Sequence, residues 1–363
     1  MNQGRVGARG VRLGARELVC RLEECPPAAE LEPLWRGMAR HTDSVFLSWP
    51  WIGALIATAT GPIRLARIEE GAALRGLALL GRPSPGSALF LNESGDPAID
   101  AVMTEYNGVL AAPGDLEDAA RCLIRAAGPR LVLSGVAESW QSLCEEAGLA
   151  CRSVRAPQPA PYVSLDRLDA EGMPPGLSRN ARAQLRRSLR HFAGLGVRLD
   201  LAADVDQALR WFAEMEPFHT AYWRGRGKAG AFAAPSFEVF HRSLIAKGCE
   251  EGLADMLRLS AGGATVGFLY CLRRGPAVHA YQSGFAYGEE GRWRPGLVAH
   301  LLAIRHYAAA GLARYRLLAG AARYKTSLAD GEDRLIWIRT RRAGPLAGLA
   351  EAVRRGFEPG ARP

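Results

Sequence analysis

Apolar positions along this chain recur with two periods, one close to helical and one strand-like, and the periods alternate in the same order twice. In the first half, Glu30–Arg40 carries apolar residues at helical spacing. A second helix is predicted from Ser48 to about Ala59, with Pro50 suited to its first turn. Three apolar runs follow, at 63–69, 74–80 and 88–92, separated by turns containing Gly and Pro, and these predict strands. Residues 92–112 show no clear period. Pro113-Gly114-Asp115 then opens an amphipathic helix that runs to Ala127 and stops at Gly128, ahead of a strand at 130–133. A helix at 139–147 and a strand at 151–155 complete this half. The stretch Ala156-Pro157-Gln158-Pro159-Ala160-Pro161 reads as a connector, and a domain boundary is expected near it.

The second half repeats that order. Ser178 is placed to cap a helix ending before Gly194. A second helix is expected over 204–222, kinked or divided at Pro217, and a third over 236–247. Strands at 255–260, 264–272 and 277–286 form a meander through Gly262-Gly263 and Gly275-Pro276. Pro295-Gly296 opens an apolar helix, a strand follows at 314–318, and another at 335–341. Pro113 and Pro295, which open corresponding helices, stand 182 positions apart in 363 residues. The expected organisation is a disordered tail (1–16), two α/β units (17–160 and 161–345) and a C-terminal helix and tail (346–363).

Charge divides the halves. Residues 1–165 hold 16 Arg and 18 acidic residues, whereas 166–363 hold 30 basic and 19 acidic, net +11. An anionic partner is therefore expected for the second half: phosphates, an acidic substrate or nucleic acid. Lysine is scarce, only Lys228, Lys247 and Lys325, which draws attention to each. The seven cysteines are scattered, with no CxxC and no histidine at zinc-ligand spacing. Reduced thiols in a cytoplasmic protein, with no metal, are expected. No run of 18 apolar residues predicts a membrane span, and the first residues lack the apolar core of a secretory signal.

A meander followed by a helix and a parallel fifth strand leaves a notch beside the strand ends. The head of the helix at Pro295 presents free N–H groups and a partial positive charge, where a pyrophosphate can sit; the other reading of Pro295-Gly296 is a helix-start signal and nothing more. Arg292 and Arg294 flank it, and Gly296 permits close backbone approach.

Residues 177–342 resemble the GNAT-type acetyltransferase domain of the cellulose-biosynthesis (CelD/BcsL-like) family, relatives of the FemAB aminoacyl transferases. The segments that carry the resemblance are Leu177-Ser178-Arg179-Asn180 with Leu185-Arg186-Arg187; Phe218-His219 with Trp223-Arg224-Gly225-Arg226-Gly227; Tyr281-Gln282-Ser283-Gly284-Phe285; Arg292 through Pro295-Gly296; and Gly320 with Tyr324-Lys325. In the first half, Phe46-Leu47-Ser48 with Trp51 is similar to the family's N-terminal motif. The resemblance implies two tandem GNAT-like (FemAB-like) domains, each a mixed, mostly antiparallel sheet flanked by helices. It also implies acyl transfer from acyl-CoA, or a carrier-protein thioester, to an amine or hydroxyl of a sugar, peptide or small metabolite. An aminoacyl-tRNA-dependent, peptide-bond-forming transferase is the alternative. A degenerate scaffold that binds an anionic partner is the second. The common phosphate signature, [QR]-x-x-G-x-[GA], is displaced here, because Arg292-Trp293-Arg294-Pro295-Gly296-Leu297 sets the Gly one place late and Leu where a small residue belongs.

Candidate chemistry follows. His219 is a candidate base, with a packed histidine as the other reading. Tyr281 is a candidate proton donor or substrate contact, or else a buried aromatic. By the resemblance, Lys325 is placed to contact the reacting groups and to neutralise a developing oxyanion. Arg292, Arg294, Gly296 and Leu297 are assigned to the cofactor. Arg186, Arg187, Trp223, Gln282, Tyr324, Glu105 and Asn107 are assigned to substrate. Arg179, Arg182, Arg186 and Arg190 share a helix face with no acid among them, which suggests an anion site or a solvated face. Glu105 and Asn107 lie in the acidic, amide-rich segment 92–108, expected either to line an acceptor cleft between the halves or to be a surface loop.

Overall fold

The computed structural model describes residues 8–13, 16–288 and 292–343. The first half contains β1 (Ala8–Leu13), β2 (Arg16–Glu24), α1 (Ala28–Ala39), α2 (Trp49–Thr58), β3 (Ile63–Glu70), β4 (Ala73–Gly81), β5 (Leu89–Leu91), β6 (Leu110–Ala111), α3 (Leu116–Ala127), β7 (Leu131–Ala137), α4 (Ser139–Glu146) and β8 (Leu149–Ser164). The second contains α5 (Arg179–Gly194), β9 (Arg198–Leu201), α6 (Val205–Arg224), α7 (Pro235–Glu250), β10 (Ala254–Ala261), β11 (Ala264–Arg274), β12 (Ala277–Phe285), α8 (Pro295–Ala309), β13 (Arg314–Arg316), α9 (Arg323–Leu328) and β14 (Gly331–Arg342). Local signals explain many boundaries. Ser48 and Ser178 accept the N–H groups of Trp51 and Ala181 at the heads of α2 and α5, and Asp204 does the same for Gln207 at the head of α6.

All strands join one mixed α/β sheet in the order β1-β2-β3-β4-β5-β7-β14-β8-β13-β12-β11-β10-β9, with β6 pairing β4. Most pairs are antiparallel. The pairs β5–β7 and β12–β13 are parallel, each reached by a crossover, so the two halves are built alike. Helices α1, α2, α6 and α7 cover one face over a core shared by both halves, in which Trp35, Phe46 and Trp51 pack with Phe212, Phe237, Phe240 and Tyr270. On the other face, α3 and α4 cover the first half and α5 and α8 the second. Among the described residues no helix is long and apolar enough to cross a membrane.

Several expectations are corrected. Ala8–Leu13, read as tail, pairs antiparallel with β2, itself unread in the sequence pattern. The proline-rich stretch 156–161, read as a connector, lies inside β8, the longest strand. Its prolines are tolerated because the strand needs only acceptors there: the carbonyls of Pro159 and Pro161 take the N–H groups of Gly320 and Leu317. Pro217 does not divide α6, which runs unbroken across Gly284. A Cβ on that glycine would stand 2.6 Å from the Met215 carbonyl oxygen and 2.8 Å from the His219 nitrogen. The expected tail helix at 346–355 falls outside the described residues.

The boundary near residue 160 is crossed twice. β14, from the end of the second unit, lies between β7 and β8, while the last residues of β8 pair with β13. Each half thus contributes a strand to the other.

Candidate functional site

The parallel pairing of β12 with β13 ends at His279–Arg316, although β12 continues to Phe285. Beyond Arg316 the chain turns away along β8, bonded through Leu317 and Gly320 to the carbonyls of Pro161 and Pro159. The two edges diverge and a notch opens between them. Tyr281 sits on its β12 side as the extra residue of a β-bulge, since Tyr270 pairs with Gln282 and Cys271 with Ala280.

The opposite rim carries Lys325, from α9. Its ammonium donates to the carbonyls of Leu318 (3.1 Å) and Ala319 (2.9 Å). Leu318 is left-handed at φ 62°, so the lysine fastens a strained rim. The first half supplies the counter-charge: the Glu105 carboxylate accepts the Ala319 N–H at 2.7 Å. Burial raises the Glu105 pKa, against the opposing pull of that N–H, Lys325 and Arg155. Burial lowers the Lys325 pKa, and Glu105 opposes it. A buried carboxylate and a half-buried ammonium, each pushed toward neutrality, therefore hold the same stretch of backbone, Glu105 at the Ala319 N–H and Lys325 at the Leu318 and Ala319 carbonyls.

Around this pair the packing is aromatic. Tyr324 stacks on His300 (5.2 Å between centroids), and His300 bonds the Tyr315 hydroxyl at 2.8 Å. Burial, reinforced by Lys325, holds the His300 pKa down to about 3, so its ring is neutral. The Tyr281 hydroxyl donates to the Val102 carbonyl in the first half and lies 3.1 Å from Nε2 of His241.

The head of α8 has no side-chain cap among the described residues. Gly296 is buried there, and a Cβ on it would lie 3.0 Å from the Tyr287 hydroxyl. Leu297 packs into the core of the second half. Arg294 donates to Gln184 at 2.9 Å, and Arg292 is exposed beside it. The neighbouring Trp293 stacks on Phe192 and donates to the Ala286 carbonyl, which anchors the approach to the helix. An open pocket of about 510 Å³ adjoins this end of the notch, lined by Phe218, Tyr222 and Arg226 of α6 and its exit and by Phe285 and Tyr287.

The structure thus brings Tyr281, Lys325, Tyr324 and Glu105 together, with the α8 head at one end. His219 is elsewhere: Nδ1 bonds the Ser283 carbonyl at 3.0 Å and Nε2 accepts the Ala231 N–H at 3.2 Å. Both ring nitrogens are committed to backbone, and burial lowers the pKa, so His219 braces α6 against β12 and has no lone pair to offer as a base. Trp223 lies beside it, 6.1 Å between ring centroids, and Gln282 is half-buried on β12. Asn107 is a structural pin. It donates to the Leu91 carbonyl and accepts from Asn92, whose own amide also bonds Leu79 and Gly108. The two asparagines fill the gap between the ends of β5 and β7, the place in the first half that corresponds to the notch.

Two arginines of the α5 face are compensated from outside their own helix. Glu171 pairs with Arg186 at 2.8 Å and Asp169 pairs with Arg182, both acids coming from the preceding loop. Arg187 stays exposed on α5, away from these pairs. Residues missed from sequence are Tyr106, His241, Arg155 and Arg316. Tyr106 donates to Asp333 at 3.1 Å, and Arg316 lies over its ring at 4.4 Å. The sequence signals were positional, Tyr106 beside Glu105 and Arg316 within the fifth strand, and His241 and Arg155 had none. Among the described residues no cluster of metal-ligating side chains occurs.

Comparison with known proteins bears on the fold. No curated protein matches the chain in sequence. The structure is similar to that of FemX (TM-score 0.57, 11% identity, covering 88% of this chain and 98% of that one). It is also similar to a DUF2156 C-terminal domain from Agrobacterium fabrum (0.55, 14%, 90% and 95%) and to L-PGS from Bacillus licheniformis (0.53, 11%, 92% and 97%). At these identities the likeness concerns the fold. Residues 179–326, which hold α5 through Lys325, match the family model for the acetyltransferase (GNAT) domain, so the notch lies within a GNAT-type acyltransferase fold.

Proposed function

We propose that this protein is an acyltransferase that moves an acyl group from acyl-CoA, or a carrier-protein thioester, to an amine or hydroxyl of a sugar, peptide or small metabolite. The observation that carries this reading is the convergence of the buried Glu105 carboxylate and the half-buried Lys325 ammonium on the backbone of Leu318 and Ala319, assembled from both halves where β12 parts from its parallel neighbour. The resemblance of residues 177–342 to the CelD/BcsL-like acetyltransferases supports it.

The donor's phosphates are assigned to the head of α8, which has no side-chain cap among the described residues and where Arg292 and Arg294 supply charge. The thioester arm then lies along the unpaired edge of β12. Glu105, with its pKa raised, takes the proton from the attacking amine or hydroxyl as the new N–C or O–C bond forms. The Lys325 ammonium, whose third N–H has no hydrogen-bond partner among the described residues, stabilises the tetrahedral oxyanion. As the C–S bond breaks, Glu105 returns its proton to the leaving sulfur. Tyr281 is a poor acid here. Burial raises its pKa well above 10 and its proton is held by the Val102 carbonyl, so it orients the notch wall and joins it to the first half.

The test is a thermal-shift series with acetyl-CoA and longer acyl-CoAs, followed by mass spectrometry of cell extract incubated with protein and the binding donor. Stabilisation by at least one acyl-CoA is expected, together with an acylated product that Lys325→Ala does not make. If no acyl-CoA stabilises the protein and a charged tRNA binds in a salt-sensitive manner, the donor is an aminoacyl ester instead.

A further inference from the structure

The odd-numbered row of β14 begins at Asp333, bonded by Tyr106 next to Glu105, and runs outward through Leu335, Trp337, Arg339 and Arg341. Residues paired across a sheet share a face. Arg339 pairs with Arg152 and Trp337 with Arg155 on β8, so one side of the two crossing strands shows four guanidinium groups around a single indole. Arg152, Arg155, Arg339 and Arg341 are all exposed. The Arg155 guanidinium lies 4.1 Å from the centroid of the Trp337 ring, and its charge acts on both Glu105 and Lys325. The row therefore ends at the reaction centre.

This arrangement is unfavourable without a ligand. Like charges directly opposite each other on a sheet repel. Arg152, Arg339 and Arg341 have no carboxylate partner among the described residues, in contrast to Arg182 and Arg186 of α5. Both neighbours of Trp337 are also bulged: register slips between Trp337 and Ile338 against β8, and between Ile336 and Ile338 against β7. Bulges of this kind re-aim side chains.

Building on the proposed acyl transfer, we infer that this face of β8 and β14 docks the acceptor and that the acceptor is a small molecule carrying phosphate groups, held by these arginines with its nucleophile directed along the row to Glu105. Guanidinium forks match phosphate oxygens in pairs, and closely set arginines match more than one phosphate. Successive side chains of one strand face stand about 6.5–7 Å apart. A diphosphate bound between Arg152 and Arg339 would leave the rest of the acceptor to extend past Trp337 toward Glu105.

The experiment titrates inorganic pyrophosphate into the full chain, followed by calorimetry, with saturating CoA present to occupy the α8 head. Expected is saturable binding to the parent and at least a tenfold loss in the double variant Arg152→Glu/Arg339→Glu, with the acyl-CoA thermal shift unchanged. Arg339→Gln, which only removes one like charge, is expected to raise the melting temperature by about 1–3 °C at low salt while weakening pyrophosphate. A structural role for Arg339 would instead lower it. The inference is overturned if the parent does not bind pyrophosphate, or if the charge-reversed variant binds it equally well. Tighter binding of citrate, or of a short single-stranded RNA, on the same arginines would also overturn it by assigning the face to another occupant. If pyrophosphate binding follows these arginines and no acyl-CoA shift is seen, the donor assignment fails and the docking face stands.

Discussion

In the proposed reaction Glu105 is the base and Lys325 the oxyanion partner, and burial shifts their pKa values in opposite directions. Glu105 must be ionised to act as a base, so turnover rises with pH through its raised pKa, above the usual carboxylate range. Lys325 must be protonated, so turnover falls at high pH through its lowered pKa, below the usual lysine range. The expected profile of kcat/KM is a bell narrowed from both sides. Glu105→Gln is expected to lower kcat by roughly 10²–10⁴ and to abolish the acid limb, while Lys325→Ala removes the basic limb. A profile with both limbs intact in Glu105→Gln would assign the base elsewhere. A second buried carboxylate bears on stability. Burial and the nearby Asp100 push Glu93 from 4.5 up to about 8. The folded state therefore holds a proton between those values that the unfolded state releases, so stability falls as pH rises through that window. Glu93→Gln cannot ionise. Its urea-unfolding stability is expected to fall less steeply than the parent's from pH 5 to 9, with Glu105 still contributing, and the difference between the two is expected to move in the variant's favour by an amount on the order of a few kcal/mol across that range. A parallel decline in both proteins would rule this out. At this scale rarity singles out Lys325 in the sequence and local composition singles out Glu105, and the structure brings both to the 318–319 backbone. The sequence misleads where partners are backbone groups or come from another segment. Nothing near His219 shows that Ser283 and Ala231 claim both its nitrogens, and nothing in α5 shows that Asp169 and Glu171 fold back onto its arginines.

The elements themselves were mostly legible, because apolar periodicity and caps are local: α2, α5, α8 and the β10–β12 meander follow from them. The exceptions have separate causes. β1 is the edge strand of the sheet and is held through β2, while β8 carries prolines normally excluded from interior strands. In β8 the prolines serve the site. Without N–H groups, Pro159 and Pro161 can only accept from Gly320 and Leu317, so the rim is held by single bonds and does not zip into a longer strand beside β12. The notch stays open for that reason. The segment that delivers Glu105 depends on one backbone position of β7. Gly135 is left-handed at φ 61°, and a Cβ there would come within 2.5 Å of the Thr104 carbonyl oxygen and 2.8 Å of the Glu105 Cα. Gly135→Ala therefore combines an unfavourable backbone conformation with displacement of the Glu105 segment. The expected cost is about 2 kcal/mol or more in unfolding free energy, with loss of turnover even at temperatures where the variant remains folded. Full activity in a stably folded Gly135→Ala would show that Glu105 need not be held at this position.

The strand exchange decides what the whole molecule can do. Element order showed that the chain contains two like-built units, but a repeat cannot reveal which strand joins which sheet. Here β14 leaves its own unit to stand between β7 and β8, and β8 in turn meets β13. The site inherits this: Lys325 comes from just before the exchanged strand, Glu105 from the first unit, and the arginine row from the exchanged strand itself. The first unit's own notch is filled by Asn92 and Asn107, so its loop is committed to completing the second unit's site. A divided protein is therefore expected to lose both folds together. Ending the chain at Asp330 removes a central strand and exposes the long edges of β7 and β8. Such a chain is expected to show no cooperative urea transition in either half and to aggregate through those edges, whereas a chain ended at Ala343 keeps β14 and serves as the control. A cooperative transition in the shorter chain, with the first half protected from hydrogen exchange, would mean that the first unit closes its sheet without the borrowed strand. The exchange would then be a late docking step, and Glu105 would be positioned by the first unit alone.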